Sequence, residues 1–225
     1  THSIAPSQVR VLLVTAMLSS AAGLILELLL VTQASYLAGN ATLATGVVVG
    51  TFLAAMGLGA WLTEFLAVST TPQPALLRCL LIVELSLCPL CLLGPLGLFQ
   101  VFAMDGPLWL AVVILTILVG VLGGMELPLI TRLLETQQQL RQVLARVLAL
   151  DYFGSLLGAL AFPLLLLPTL GLLPTAAALS LVPIGCACWL SWSFDDLRRW
   201  RRGTLFAIPL MTTGGLFSIP IGDRI

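Results

Sequence analysis

The residues best equipped for chemistry in this chain are acids set inside apolar runs. Glu27 lies in GLILELLL, Glu126 in GVLGGMELPLITRLL and Asp151 in VLALDYFGSLLGALAFPLLLLP. A charge at the centre of a bilayer costs about 2.5 to 3.5 kcal/mol even on the gentlest insertion scale, so such side chains turn inward and find partners. The stretch from Gly120 to Pro168 holds two of the three and organises the chain. Together Glu27, Glu126 and Asp151 make a candidate acidic site for a polyamine, a metal ion or a proton, with the Tyr152 hydroxyl beside them. A polyamine suits it physically, because spaced ammonium groups need spaced carboxylates and free carbonyls. Pro128 has no N–H to give to the carbonyl of Gly124, which is freed next to Glu126. The competing reading makes each acid a packing device, carrying a proton or paired with a neighbouring helix.

Other reactive residues offer less. Glu84, Cys88 and Cys91 share a helix face, but one CxxC without a second pair is weak support for ligation, and no metal site is expected. All five cysteines lie in apolar runs, where they act as small hydrophobes. His2 is the only histidine and falls in the N-terminal tail, so no His-based catalysis is expected and no catalytic residue is assigned. There is no basic, aromatic-interleaved surface of the kind that binds nucleic acid.

The elements that must position the acids are membrane helices. The chain is 59% hydrophobic and 9% charged. Its mean hydropathy is +1.10, outside the range of water-soluble domains of this size. The expected fold is all-α, a polytopic transmembrane helix bundle forming a single domain over residues 1–225. It has about seven membrane segments, six of them clear and the last short or re-entrant. The clear helices are read at 11–37, 41–66, 74–93, 107–134, 149–167 and 174–192. The first lacks a small-residue cleavage site after a short apolar core, so it reads as a retained helix rather than a signal peptide. GPLGLFQVFAMDGP reads as irregular, with Asp105 capping the fourth helix. ETQQQLRQVLARVLAL reads as an amphipathic surface helix, and Pro163 and Pro168 are expected to bend and end the fifth helix. The run 204–219, interrupted by Pro209, Gly214 and Gly215, is the seventh segment.

Small residues line several faces. Gly23 on the first helix, Gly46, Gly50 and Gly57 on the second, Gly123 and Gly124 on the fourth, and Gly154 and Gly158 on the fifth are expected where helices approach closely. Glu64 is expected at the membrane interface beside Trp61. All cationic side chains are arginine, and nine of the ten fall at the N-terminus and in alternate connections. The densest group is Arg198, Arg199, Arg201 and Arg202, read as a topology anchor. By the positive-inside rule the N-terminus is cytoplasmic. Helices one to three and four to six read as a weak inverted repeat, with Gly23 and Glu27-Leu28 matching Gly123 and Glu126-Leu127.

These residues carry a resemblance. SAAGLILELLL with YLAGN, GTFLAAMGLGAWL, GGMELPLITRLL and ALDYFGSLLGALAFPLLLLPTLG together resemble the membrane-spanning N-terminal domain of spermidine-synthase-like proteins, the polyamine aminopropyltransferases. The resemblance implies a bundle of about seven helices in the bacterial inner membrane, followed by a soluble Rossmann-like transferase domain. That domain moves an aminopropyl group from decarboxylated S-adenosylmethionine to a diamine in polyamine biosynthesis. It is expected after residue 225; its glycine-rich nucleotide loop is absent here, so no cofactor is expected in these residues. The bundle is then an anchor for the transferase that binds or gates polyamine. Two other functions compete with it. One is a small transporter-like protein with an acidic site inside the bundle. The other is a structural subunit of a larger membrane assembly or homo-oligomer, with its glycine faces against partners.

Overall fold

The computed structural model describes residues 5–66, 71–135 and 140–201. His2, Arg202 and the run 204–219 lie outside the described residues. Six helices follow one another: α1 (Pro6–Ala38), α2 (Ala41–Leu66), α3 (Gln73–Ala103), α4 (Leu108–Glu135), α5 (Leu140–Leu170) and α6 (Leu172–Ser193). Each is long and apolar enough to cross a membrane. A 3₁₀ turn, Asp195–Trp200, follows α6.

Sequence explains most of the helix ends. Gly39 adopts φ 68, a left-handed cap that suits glycine, and its N–H donates to Ser35 O at 3.0 Å. Asn40 then accepts the Leu43 N–H at 3.0 Å and opens α2. The expected bounds of α2 match the structure, but those of α3 and α5 do not. The segment read as irregular continues α3 to Ala103, straight through Pro89 and Pro95. In apolar surroundings a helix keeps the remaining backbone groups paired, so losing one N–H costs less than ending it. Asp105 sits in the following turn at φ 53, and α4 opens at Leu108, so Asp105 does not occupy the capping position. The connector is helical and mostly exposed from Leu140 onward, with Val143 and Val147 buried, and runs without a break into α5. Nor does Pro163 bend α5 to an end: Phe162–Leu166 widens into a π-helical turn in which the Leu167 N–H reaches Phe162 O. That wider turn accommodates the proline ring and its missing donor. The helix passes Pro168 and stops at Gly171, φ 79.

The helices alternate in direction. Gln8 near the start of α1 donates to Ser193 O at the end of α6, at 2.9 Å. Arg78 of α3 lies beside Asp195 and Arg198, while Arg132 near the end of α4 lies beside Leu140 of α5. The arginine-bearing ends therefore gather on one side of the bundle. The most extensive packing is α2 on α4, then α1 on α5 and α3 on α6. Exchanging α1–α3 with α4–α6 carries the first two of these pairs into each other and the third into itself. Five of the six buried residues of α2 (Ala44, Val48, Ala55, Gly59, Thr63, but not Phe52) correspond at one constant offset to those of α5 (Val143, Val147, Gly154, Gly158, Phe162). The pattern of helix pairings is thus approximately two-fold between the triplets, and Glu27 and Glu126 fall at the same offset.

Close helix approach falls on only some of the expected glycines. A Cβ on Gly124 would strike the Met56 backbone, and Cβ atoms on Gly154 and Gly158 would strike the backbones of Met17 and Ala21. Gly59 and Gly120 do the same work in the α2–α4 contact. Gly23, Gly46, Gly50, Gly57 and Gly123 have no atom within 4 Å of an added Cβ, so they are not positions of close packing within the chain. Spacing alone marks a small face but not which neighbour meets it. Two apolar clusters make the core. One, around Leu12, Leu80 and Ile130, lies toward the arginine-bearing ends. The other surrounds Leu29, Phe52 and Val119. The buried polar residues Ser19, Glu84 and Glu126 fall at their junction.

Candidate functional site

A cavity of about 490 Å³ opens between α2 and α5, with α1 and α4 as its floor. The floor carries Ser19, Ser20, Gly23 and Glu27 from α1 and Gly123, Gly124, Glu126 and Pro128 from α4. Phe52, Leu53 and Met56 of α2 make an apolar wall, and Asp151, Tyr152 and Ser155 of α5 make a polar one. All four residues assigned from sequence to the candidate binding set therefore border one space. Its volume lies in the range of small-molecule sites.

Burial differs among the four. Glu27 and Glu126 are each only 7% exposed, and Glu126 Oε1 has no hydrogen-bond partner. Asp151 is half-buried, and Tyr152, 67% exposed, stands at the rim. Ser20 ties α1 to α5: its Oγ donates to Asp151 O at 2.8 Å and lies 2.6 Å from Ser155 Oγ. A hydroxyl has one hydrogen, so with Ser20 donating to the carbonyl, Ser155 donates to Ser20. Asp151 itself borders the cavity. Ser20 lies level with Asp151, and Glu27 comes seven residues later, about 10 Å along α1 at 1.5 Å per residue. Glu27 is thus set apart from Asp151 along the cavity, and among the described residues no arginine lines it.

Behind this space lies a chamber of about 30 Å³, bordered by Ser19, Gly23, Glu84, Cys91, Gly123 and Glu126 among others. Glu84 has no exposed surface. Ser19 Oγ donates to its Oε1 at 2.7 Å, while Oε2 has no partner. Reasoning from sequence left Glu84 outside the site because it read as part of a cysteine-bearing face. A signal was present: Glu84-Leu85 repeats the Glu-Leu pair of Glu27-Leu28 and Glu126-Leu127, each inside an apolar run. The cysteines have other roles. Cys88 Sγ donates to Ser180 O at 3.4 Å and so joins α3 to α6. Among the described residues no group of three or more His, Cys, Asp or Glu side chains is placed to hold a metal ion.

Of the arginine group, Arg201 closes α6, with Nε donating to Ser191 O at 2.8 Å and Nη2 lying 3.5 Å from Asp195 Oδ1. Arg198 and Arg199 line a surface hollow with Arg78, Asp195 and Asp196 at the same end. Trp61 stacks edge-on against Phe65, centroids 4.8 Å apart, and Glu64 beside them is exposed.

No protein-family model matches the chain, and no solved structure matches it. Curated relatives do. The chain is 33% identical over 181 residues to the polyamine aminopropyltransferase of Leptospira interrogans, a match covering 80% of this chain and 35% of that protein. It is 36% identical over 174 residues to polyamine aminopropyltransferase 2 of Ralstonia nicotianae, covering 76% and 33%. It is 34% identical over 186 residues to the polyamine aminopropyltransferase of Mycobacterium tuberculosis, covering 79% and 34%. The chain spans about a third of the length of the curated relatives it matches. With an all-helical bundle accounting for the matched region, the chain is a homologue of the polyamine aminopropyltransferases over a segment that makes up about a third of such proteins.

Proposed function

We propose that this chain is the integral membrane domain of a spermidine-synthase-like protein, anchoring a soluble aminopropyltransferase and binding polyamine in the cavity between α2 and α5. The domain sits at the N-terminal side of the transferase in the bacterial inner membrane, with its own N-terminus cytoplasmic. The gathering of Arg10, Arg78, Arg132, Arg141 and Arg198 at one end of the bundle supports that orientation. Transfer of the aminopropyl group from decarboxylated S-adenosylmethionine belongs to the soluble part.

One observation carries the binding reading: Glu27, Glu126 and Asp151 come from three different helices yet border one space that, among the described residues, no cation lines. A linear amine with charges several ångströms apart supplies both the missing counter-charge and the hydrogen-bond donors. Titration calorimetry of spermidine into the full chain, purified in lipid nanodiscs, tests this. Saturable binding weakened about ten-fold or more by Glu126→Gln is expected, since truncating one partner of a buried charge pair costs about 2 to 5 kcal/mol. Absence of spermidine binding to the wild-type chain would refute it.

The approximate two-fold relation between α1–α3 and α4–α6 favours a second reading, in which the same cavity belongs to a small carrier that works as an oligomer. Uptake of labelled spermidine into proteoliposomes separates the two. Binding without uptake leaves the anchor reading standing.

A further inference from the structure

The outer cavity has an inner end that differs from it in kind. It admits the chamber bordered by Glu84, and Ser19, Gly23, Phe52, Gly123 and Glu126 border both spaces. We propose that Glu84, Glu126 and Ser19 form a subsite for one unsubstituted primary ammonium head, so that the site selects linear amines ending in –NH3⁺. This rests on the reading of the outer cavity as an amine site and adds to it a residue and a selectivity.

Three observations converge. The chamber, about 30 Å³, exceeds the roughly 10–15 Å³ that a water-sized group needs. An ammonium head, one heavy atom, is of that size, whereas a trimethylated head is bulkier and carries no N–H. Hydrogen-bond capacity matches as well. An ammonium has three donors and no acceptor. Glu84 Oε2 and Glu126 Oε1 are buried acceptors without a donor, and Ser19 Oγ, whose hydrogen goes to Glu84 Oε1, keeps lone pairs free. Finally, among the described residues no arginine or histidine lines either space, so none of them occupies the counter-charge position that an ammonium would take. Gly23 and Gly123 leave the way open, with nothing within 4 Å of where a Cβ would stand.

The test uses the full chain in nanodiscs and two probes: 1,4-diaminobutane, and the same molecule with both ends trimethylated. The wild type is expected to bind the diamine about ten-fold or more tighter than its trimethylated analogue, and Glu84→Gln to lose most of that preference. Ser19→Ala, which removes one hydrogen bond and no charge, gives the same direction by a smaller amount if the glutamine variant fails to fold. Gly123→Ala narrows the passage without a clash and is expected to weaken the diamine while leaving thermal stability intact. Equal affinity of the wild type for both probes, or full preference retained in Glu84→Gln and Ser19→Ala, would overturn the subsite alone. No binding of either probe to the wild type would overturn both the subsite and the amine reading of the outer cavity.

Discussion

Gly123 and Gly124 are adjacent in sequence, and alanine at each should have opposite consequences. A Cβ on Gly124 falls 2.7 Å from both the carbonyl carbon and the Cα of Met56, and closer still to its oxygen. Those are backbone atoms of α2, so no rotamer change relieves the contact. Ordinary van der Waals contact begins near 3.4 Å, which requires α2 and α4 to part at this point by about an ångström. A gap of about 0.5 to 1 Å forfeits a quarter to a half of each contact's attraction. Across the most extensive helix pair in the bundle, that places the cost of Gly124→Ala at about 1 to 3 kcal/mol, the usual range for overpacking. At Gly123 the added methyl enters open space, and the gain in helix propensity is at most about 1 kcal/mol. Thermal unfolding of the two variants in the same detergent, followed by tryptophan fluorescence, should give a lowered midpoint for Gly124→Ala and an unchanged or raised one for Gly123→Ala. Equal destabilisation by both would refute the assignment of the α2–α4 contact to one glycine of the pair.

Other expectations follow from single contacts. Gly158→Val should destabilise by more than Gly124→Ala, because its Cβ already meets the Ala21 backbone and two further methyls have nowhere to go; unfolding in graded dodecyl sulfate reads this out. Ser20→Ala removes the bonds to Asp151 O and Ser155 Oγ and should cost about 1 kcal/mol in the same assay. Arg201→Ala should cost about 0.5 to 1.5 kcal/mol by uncapping α6 at Ser191 O, with no effect on spermidine binding measured by calorimetry. Glu84→Leu should raise the melting midpoint, because an apolar side chain of similar size replaces a buried carboxylate with an unpaired oxygen, while abolishing discrimination between the two amine probes.

Much of this architecture is legible in the residues, for physical reasons that also mark where legibility stops. Length and apolarity mark six helices long enough to cross a membrane, because an unbroken apolar run of that length pairs its whole backbone internally as a helix. Gly39-Asn40 gives a turn because one residue takes a left-handed conformation and the next caps the following helix. Prolines misled the reading, at Pro95 and again at Pro163. The rule that proline ends helices is learned in water, where freed carbonyls find solvent; in an apolar bundle the helix absorbs the defect, by continuing or by widening one turn. Glycine spacing marked small faces without saying which would meet a neighbour, so Gly46, Gly50 and Gly57 read the same as Gly154 and Gly158. Acids inside apolar runs were visible, and their convergence on one space was not. Glu84 entered the site only when α3 was seen to pack against α1 and α4.

The approximate two-fold relation explains why the cavity is acidic on its floor and uneven at its walls. Glu27 and Glu126 are equivalent positions on α1 and α4, so the floor carries one carboxylate from each half. At the same offset Phe52 corresponds to Asp151, Leu53 to Tyr152 and Met56 to Ser155, and there the halves have diverged completely. The α2 wall is apolar and the α5 wall is polar. A duplicated fold under packing constraints alone would keep apolar side chains at all six positions, because each polar group placed inside an apolar bundle costs free energy unless it is paired. Ser155 pairs with Ser20 and Tyr152 stands exposed at the rim, but Asp151 borders a space already bordered by two other acids. A ligand that matches this arrangement is charged along one edge and hydrocarbon along the other. A linear amine is such a molecule, its ammonium groups set toward α1, α4 and α5 and its methylenes against Phe52 and Leu53. Replacing Phe52 by serine should therefore weaken a diamine through lost methylene burial, about 0.8 kcal/mol per CH2, and barely alter the binding of ammonium ion itself. If both lose affinity equally in calorimetry, the apolar wall has no part in recognition and the site reads charge alone.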